Sequence, residues 1–325
     1  MIKLVFTCGD INGIGPEICI KTFNQIYNPK NRIIIYLAPK DVFLKSIKII
    51  KPKFKYRILD TKSVFQLSDS KVNIISLGNC KQKIGSPTKE SGIISFTSII
   101  ESVKLIKTKI ADALITAPIS KSSFKMAKLN YPGHTELLSE LSNEKKYLMT
   151  FLSEKMICAL ATIHEPINKV SAIITKKRIL DSIKILHTML QRDLQISNPR
   201  IAVLGLNPHA GEDGNLGKEE TENIKPIINS LKGLNVYGPF VPDAFFGNHS
   251  YKNYNAVVGM YHDQVLIPFK MMNFNVGVNY TAGLPIIRTS PDHGTAYDIA
   301  GSGKADPSSM IEAVNWAEKI VRNRR

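Results

Sequence analysis

The sequence is poor in cysteine and does not pair what it has. Cys8, Cys19, Cys80 and Cys158 are scattered, with no C-x-x-C. That excludes a cysteine zinc site and a disulfide framework, and leaves reduced, mostly buried thiols. No apolar run is long enough to span a bilayer. Residues 1–6 form a short strand-like run closed by a glycine-rich turn, unlike a signal peptide. The expected setting is therefore cytoplasmic, with no membrane partner. Acidic residues are also scarce, 27 against 43 basic, which leaves a formal charge of +16. The excess is mostly lysine spread along the chain (Lys45, Lys48, Lys51, Lys53, Lys55), in a sequence also rich in isoleucine and asparagine. It reads as a solvated surface that steers anionic substrates rather than as a nucleic-acid footprint. Several catalytic signatures are missing: the P-loop, the G-x-S-x-G elbow, a Ser-His-Asp order, H-E-x-x-H and the G-x-G-x-x-G dinucleotide fingerprint. There is no internal repeat and no low-complexity linker.

What is present is a chain of 325 residues with an ordinary apolar fraction, 43%, enough for two domains or one large α/β unit. Strand-like runs recur at 2–7, 32–38, 72–78, 111–121, 200–206 and 255–260, with further ones at 275–280 and 284–290. The runs 147–153 and 156–163 flank a turn at Glu154-Lys155 and read as an antiparallel hairpin. Helical periodicity covers roughly 91–107, 176–191 and 307–321. The first run leads into Gly9-Asp10-Ile11-Asn12-Gly13-Ile14-Gly15-Pro16-Glu17. There Pro16 suits a helix start and Glu17 the positive end of its dipole. Thr116, Pro118, Ser120 and Lys121 end another run, as an anion site or as a plain turn. Tyr131-Pro132-Gly133-His134-Thr135-Glu136 precedes a helix that Thr135 or a neighbour would cap. Free N–H groups at such a start favour phosphate or carboxylate. The stretch 237–246, which contains Asp243, reads as a loop.

His164, His209 and His262 each follow a strand-like run. Ligands of open α/β sheets sit outside the carboxyl ends of strands. Three imidazoles converging there would leave a metal with an open position; spacing alone is equally compatible with three unrelated structural histidines. Asn207, Glu212, Asp213, Asp243 and Asp263 offer carboxylates and an amide to orient ligands, and Lys121, Lys270 and Arg288 offer charge for an anion. Lys270 is read as following an apolar turn.

With these residues in view, the chain resembles the 4-hydroxythreonine-4-phosphate dehydrogenase family of vitamin B6 biosynthesis over nearly its whole length. The resemblance rests on GDINGIGPE (9–17), ALITAPISK (113–121), YPGHTELL (131–138), ATIHEP (161–166), GLNPHAGEDG (205–214), GMYHDQVLIPFK (259–270) and TAGLPIIRTSPDHGTAYDIAG (281–301). One departure stands out: Ile11-Asn12 occupies the place where Pro-Ala is expected. The resemblance implies a divalent metal (zinc, magnesium or cobalt) on His164, His209 and His262, and substrate contacts from His134, Thr135, Lys270, Asn279 and Arg288. Lys270, Asp243 and Asp263 are the candidates for catalytic roles. The segment 293–307 is similar to the nucleotide loop of isopropylmalate and isocitrate dehydrogenases, which places NAD or NADP at His293, Gly294, Ala296 and Asp298.

The implied fold is the α/β/α type of those enzymes, with two subdomains (1–127 with 281–325, and 128–280) and the active-site cleft between them. A homodimer is implied as well, with each site shared; the expected split puts His164 and His209 on one subunit and His262 on its neighbour. The implied reaction oxidises 4-phosphooxy-L-threonine to 2-amino-3-oxo-4-phosphooxybutanoate, which decarboxylates to 3-amino-2-oxopropyl phosphate. Rival readings are a sister dehydrogenase acting on 4-phosphorylated threonate or erythronate, and a metal-dependent hydrolase, which would need no nucleotide loop.

Overall fold

Long β-branched runs that can be buried on both faces favour parallel strands covered by helices, and two sets of such strands organise the chain. In the computed structural model, which describes all residues 1–325, the chain divides into two compact units. The first is Met1–Glu144 with Pro285–Arg322, and the second is Lys145–Leu284 with Asn323–Arg325. The segment 128–144, assigned on sequence to the second subdomain, lies in the first unit.

The first unit runs β1 (Ile2–Thr7), α1 (Gly15–Ile26), β2 (Arg32–Ala38), α2 (Lys40–Ile49), β3 (Tyr56–Leu59), β4 (Val72–Ser76), α3 (Lys89–Lys107), β5 (Ala113–Ile115), α4 (Lys121–Met126) and α5 (His134–Leu141). Its strand order is β3-β4-β2-β1-β5, all parallel. Beyond β5 lies a late strand, Arg288–Pro291, paired as Arg288↔Leu114 and Thr289↔Ile115. Leu4, Val5, Phe6, Ile35, Tyr36 and Leu37 are fully buried. Phe23 of α1 packs edge-on against Phe6 and Tyr36, at centroid distances of 4.9 and 5.3 Å. Thr88 and Ser91 form a reciprocal capping box at the start of α3.

The second unit contains β6 (Leu148–Leu152), β7 (Cys158–Leu160), α6 (Ile167–Ile173), α7 (Lys176–Leu194), β8 (Arg200–Leu204), α8 (Lys225–Ser230), β9 (Asn235–Phe240), α9 (Pro242–Gly247), β10 (Ala256–Gly259), α10 (His262–Asn273) and β11 (Val278–Ala282). The order is β11-β6-β7-β10-β8-β9. β6 is antiparallel to both β7 and β11, and β7, β10, β8 and β9 are parallel. The core joins Phe151, Leu160, Leu204, Phe245, Val257, Val265 and Phe269. Beyond the Leu284–Pro285 boundary, the late strand Arg288–Pro291 is β12, and the last helix is α11 (Ser308–Arg324).

Two local expectations are corrected and a third is narrowed. The 237–246 stretch is a strand and a helix rather than a loop. Its prolines are compatible with both, because Pro239 lies on the edge strand β9 and Pro242 at the first turn of α9. Lys270 does not follow a turn: 262–273 is a helix that accommodates Pro268. Of the alternatives for the start of α5, Thr135 or a neighbour, it is the neighbour Gly133 that takes the N-cap position, with no side-chain bond, and Thr135 is buried one residue inside the helix.

No helix is long and apolar enough to cross a membrane. In the second unit, Asp193 near the end of α7 is fully buried. Its carboxylate accepts from Arg324 Nε at 2.7 Å and Nη2 at 3.0 Å, from Tyr280 Oη at 2.6 Å and from Arg192 Nε at 2.7 Å. Burial pushes its pKa up, but the bonds and charges of Arg324 and Arg192 outweigh that and hold it below the ordinary aspartate value.

Candidate active site

Arg288 opens β12 in the first unit and is 2% exposed. A guanidinium cannot shed its charge cheaply, so its burial demands acceptors. Nε and Nη2 both donate to Thr116 Oγ1 just past β5, at 3.0 and 2.8 Å. These bonds fix the guanidinium plane at the carboxyl end of β5. Burial lowers the Arg288 pKa to about 9, against the opposing pull of Glu136.

His134, the first residue of α5, is held well below the usual histidine range by burial and then by the Arg288 charge. It is therefore neutral at pH 7, and its buried Nε2 has no hydrogen-bond partner. The start of α5 has no side-chain cap either, so its first N–H groups face whatever occupies this corner. The expected substrate residues His134, Thr135 and Arg288 thus all belong to the first unit. Thr116 and Glu136 join the group; the strand-end position of Thr116 was the only signal for it in the sequence.

The nucleotide-loop candidates are in the first unit too. Ile14 N donates to Thr295 O at 2.9 Å, so the 293–301 loop rests on the N-terminal turn. A Cβ on Gly13 would meet Thr295 O at 2.7 Å, so that position requires glycine. His293 is half-buried, with Nδ1 3.1 Å from Gly294 O; Gly294 and Asp298 are exposed, and Ala296 takes a left-handed φ of 40°. At the far end of the loop, buried Glu17 accepts from Gly303 N and Ala305 N at 3.2 and 2.9 Å, and Lys21 Nζ donates to the carbonyls of the same two residues. That clasp was not expected: on sequence Glu17 offered only its place at the helix dipole.

In the second unit β7, β10 and β8 lie side by side and parallel, so the segments leaving their carboxyl ends share one edge. His164 follows β7 and His262 opens α10 directly after β10. Their rings are 5.6 Å apart between centroids. They line an open pocket with Glu165, Tyr261, Asp263 and Ile167. His262 Nδ1 is 2.7 Å from Asp263 Oδ1, which fixes the ring and leaves Nε2 for a ligand. Lys270, half-buried, lies about 12 Å further along the same helix at 1.5 Å per residue. Asn279 is half-buried on β11, opposite Phe151.

His209 stands apart from this pair. After β8 the chain enters a turn in which His209, Ala210, Gly211, Glu212 and Asp213 have φ of 52°, 51°, 79°, 42° and 54°. For residues other than glycine each such conformation costs about 1 kcal/mol or more. Buried Glu220 holds the entry to the turn, accepting from Leu206 N and Asn207 N at 2.7 Å and from Asn207 Nδ2 at 2.9 Å. Lys225 Nζ reaches Asp213 Oδ1 at 2.8 Å. α9, with exposed Asp243 in its first turn, packs beside this turn rather than in the His164–His262 pocket. No three metal-ligating side chains of one chain converge. The His164–His262 pair with its Asp263 carboxylate fits a divalent ion as a partial ligand set, and His209 is not drawn into it.

The chain matches the family model described as pyridoxal phosphate biosynthetic protein PdxA over residues 30–317. It is 41% identical over 329 residues to the 4-hydroxythreonine-4-phosphate dehydrogenase of Sulfurihydrogenibium sp. (strain YO3AOP1), covering 100% of both chains. To the Bacteroides thetaiotaomicron protein of the same name it is 39% identical over 337 residues, covering 100% of this chain and 90% of the relative. The crystal structure of the Klebsiella pneumoniae 4-hydroxythreonine-4-phosphate dehydrogenase superposes with a TM-score of 0.86 at 34% identity, covering 98% of each chain.

Proposed function

Because the chain belongs to the PdxA family of pyridoxal phosphate biosynthetic proteins, we propose that it is a nicotinamide-dependent oxidoreductase of vitamin B6 biosynthesis acting on 4-hydroxythreonine 4-phosphate. The substrate loses a hydride from C3 to NAD(P)+ and a proton from its C3 hydroxyl. The resulting 2-amino-3-oxo-4-phosphooxybutanoate releases carbon dioxide, and protonation of the remaining enol gives 3-amino-2-oxopropyl phosphate. The observation that carries this reading is the corner of the first unit where buried Arg288, the unpartnered Nε2 of neutral His134 and the uncapped start of α5 come together. Three donors of that kind, dry and already oriented, suit a small anionic substrate.

Arg288 binds an anionic group of the substrate, and His134 and Thr135 orient it. His164 and His262, with His209 as third ligand, would hold zinc, magnesium or cobalt. Bound there, the ion would supply Lewis acidity at a substrate oxygen, and a nicotinamide nucleotide would supply the hydride acceptor. Asp263 fixes the His262 ring; Asp243 lies beside the His209 turn. Asn279 contacts substrate, and Lys270 binds an anion and carries a proton. His293, Gly294, Ala296 and Asp298 line the nucleotide site.

A homodimer is part of the proposal, in a cytoplasmic setting. Ile267, Met271 and Phe274 follow the i, i+4, i+7 spacing of one helical face and are 58%, 82% and 80% exposed, an apolar stripe suited to a second copy. His262 and Lys270 are on the same helix, so such an interface would reach the site. A site completed by a second copy is also consistent with three histidines that do not meet within one chain.

The test is the absorbance of reduced nicotinamide on adding 4-phosphooxy-L-threonine, with and without a chelator. Metal-dependent turnover is expected. Absence of turnover after metal is restored overturns the reading, and faster turnover of 4-phosphorylated threonate or erythronate would reassign the substrate.

A further inference from the structure

The one place where the sequence departs from the pattern it resembles in the first turn, Asn12, carries more hydrogen bonds than any function assigned so far requires. Asn12 is 1% exposed. Its Nδ2 donates to Ser86 O at 2.9 Å and to Thr88 Oγ1 at 3.3 Å, and its Oδ1 accepts from Lys83 N at 2.8 Å. Its backbone N donates to Asp10 Oδ1 at 3.0 Å, and its carbonyl accepts from Gly85 N at 2.9 Å. One buried carboxamide thus fixes the 83–88 segment onto the 10–15 turn.

The other side of that turn supports the nucleotide loop. Ile14 N bonds Thr295 O, and Gly13 lies against Thr295. The 83–88 segment also meets the nucleotide loop directly: a Cβ on Gly85 would lie 3.3 Å from Tyr297 O, and one on Gly301 would lie 3.2 Å from Ile84. The stack is therefore segment 83–88, turn 10–15 and loop 293–301, with Asn12 joining the first two. A buried amide bridging two loops fixes their relative position, because slipping either one strands its donors or acceptors away from water.

We propose that Asn12 is a positioning residue for the nicotinamide nucleotide, setting the floor on which the 293–301 loop is ordered. The inference rests on the assignment of that loop to the nucleotide. A merely structural Asn12 would lower stability when replaced and leave nucleotide affinity alone. The proposed role separates the two quantities. Thr88 gives the comparison, because it caps α3 and touches Asn12 only through the long 3.3 Å bond.

The experiment measures binding of NADH and NADPH by fluorescence to the full-length, metal-loaded protein, with thermal unfolding in parallel. Asn12→Ala is expected to raise the Kd of the preferred nucleotide roughly tenfold, while the affinity for 4-phosphooxy-L-threonine is unchanged. Thr88→Ala is expected to lower the Tm at least as much while changing nucleotide affinity less than threefold. Should Asn12→Ala not fold, Asn12→Asp, which keeps the shape and the Lys83 acceptor but loses both donors, is expected to give the same weakening. Nucleotide affinity unchanged in the folded Asn12 variant, or loss of affinity that merely tracks Tm in both variants, overturns the proposal and leaves the loop assignment standing. Wild-type protein that binds neither nucleotide overturns both.

Discussion

The two groups of candidate substrate and metal residues are built on opposite principles. In the first unit, Arg288 and His134 are buried, their surroundings are fixed by β5, β12 and α5, and the Nε2 of His134 has no hydrogen-bond partner. In the second unit, His262 and Asp263 are open to solvent, with side-chain exposures of 39% and 71%, and His209 rides on a left-handed turn outside the pair. The first arrangement is preorganised: the cost of burying its charge has been met in folding. The second is not: if it holds the proposed metal, with a second copy or with His209, completing the ligand set costs an ordering step.

That contrast would break most visibly at the histidines. His209→Ala and His262→Ala are each expected to lose metal and to abolish turnover while leaving the fold intact. If the sites are shared as proposed, refolding the two inactive variants together restores activity, up to about half of the wild-type value per mixed dimer for independent sites. Normal metal content and turnover in His209→Ala would remove that residue from the site. Verified mixed dimers that stay inactive, under conditions that wild-type protein survives, would show that His209 and His262 are not supplied by different subunits and that the proposed split of ligands is wrong.

Arg288→Lys tests the preorganised side. A lysine cannot reproduce a fork fixed on Thr116, and a roughly hundredfold fall in kcat/KM is expected, read mainly in KM, with Tm nearly retained. Unchanged kinetics would make Arg288 a structural cation. Asp263→Asn is a smaller change. It keeps a partner for His262 Nδ1 but removes the charge, and metal affinity by equilibrium dialysis should fall about tenfold. No change would leave Asp263 an exposed surface partner.

The smallest effect on catalysis is expected from Arg324→Ala, which acts on stability instead. With Arg192 and Tyr280 still bonded to Asp193, a loss of about 2 kcal/mol is expected, measured by urea unfolding at neutral pH. The sign with pH follows from the depressed Asp193 pKa. Its contribution is fully present above the ordinary aspartate value of about 3.9 and is lost as pH falls through the lower folded value. The difference between wild type and variant should therefore shrink on acidification, and a difference independent of pH would show that Arg324 acts through packing.

Much of this was readable from the residues, and the failures have physical causes. The largely buried parallel strands β1, β2 and β8 declare themselves as mostly apolar runs. Edge strand β3 does not, since each of its residues is only half-buried. α10 was hidden because VLIPF shows no polar face and contains Pro268. The histidines, of which the structure pairs His164 with His262 but not with His209, were singled out by their positions after strands. The Asp193 and Glu17 clusters were not, because each joins residues far apart in sequence, as in Glu17 with Ala305, and no local pattern records such a pairing. Asn12 was visible only as a substitution in a pattern, and its partners at 83–88 came from the fold.

The bond between Arg324 and Asp193 also has a consequence for the order of synthesis. The body of the second unit is on hand once Leu284 has been added, but the cation its buried carboxylate needs belongs to the final helix. The first unit waits as well, since β5 has a bare edge until β12 arrives to pair with it. Neither unit can close in the vectorial, one-after-the-other manner available to domains strung along a chain. Both are held open while the ribosome adds the same late segment, so an arrest anywhere between Leu284 and Arg324 leaves a nascent chain whose Asp193 carboxylate has Arg192 and Tyr280 but not its second cation, and one before β12 also leaves an unpaired strand edge for chaperones to cover.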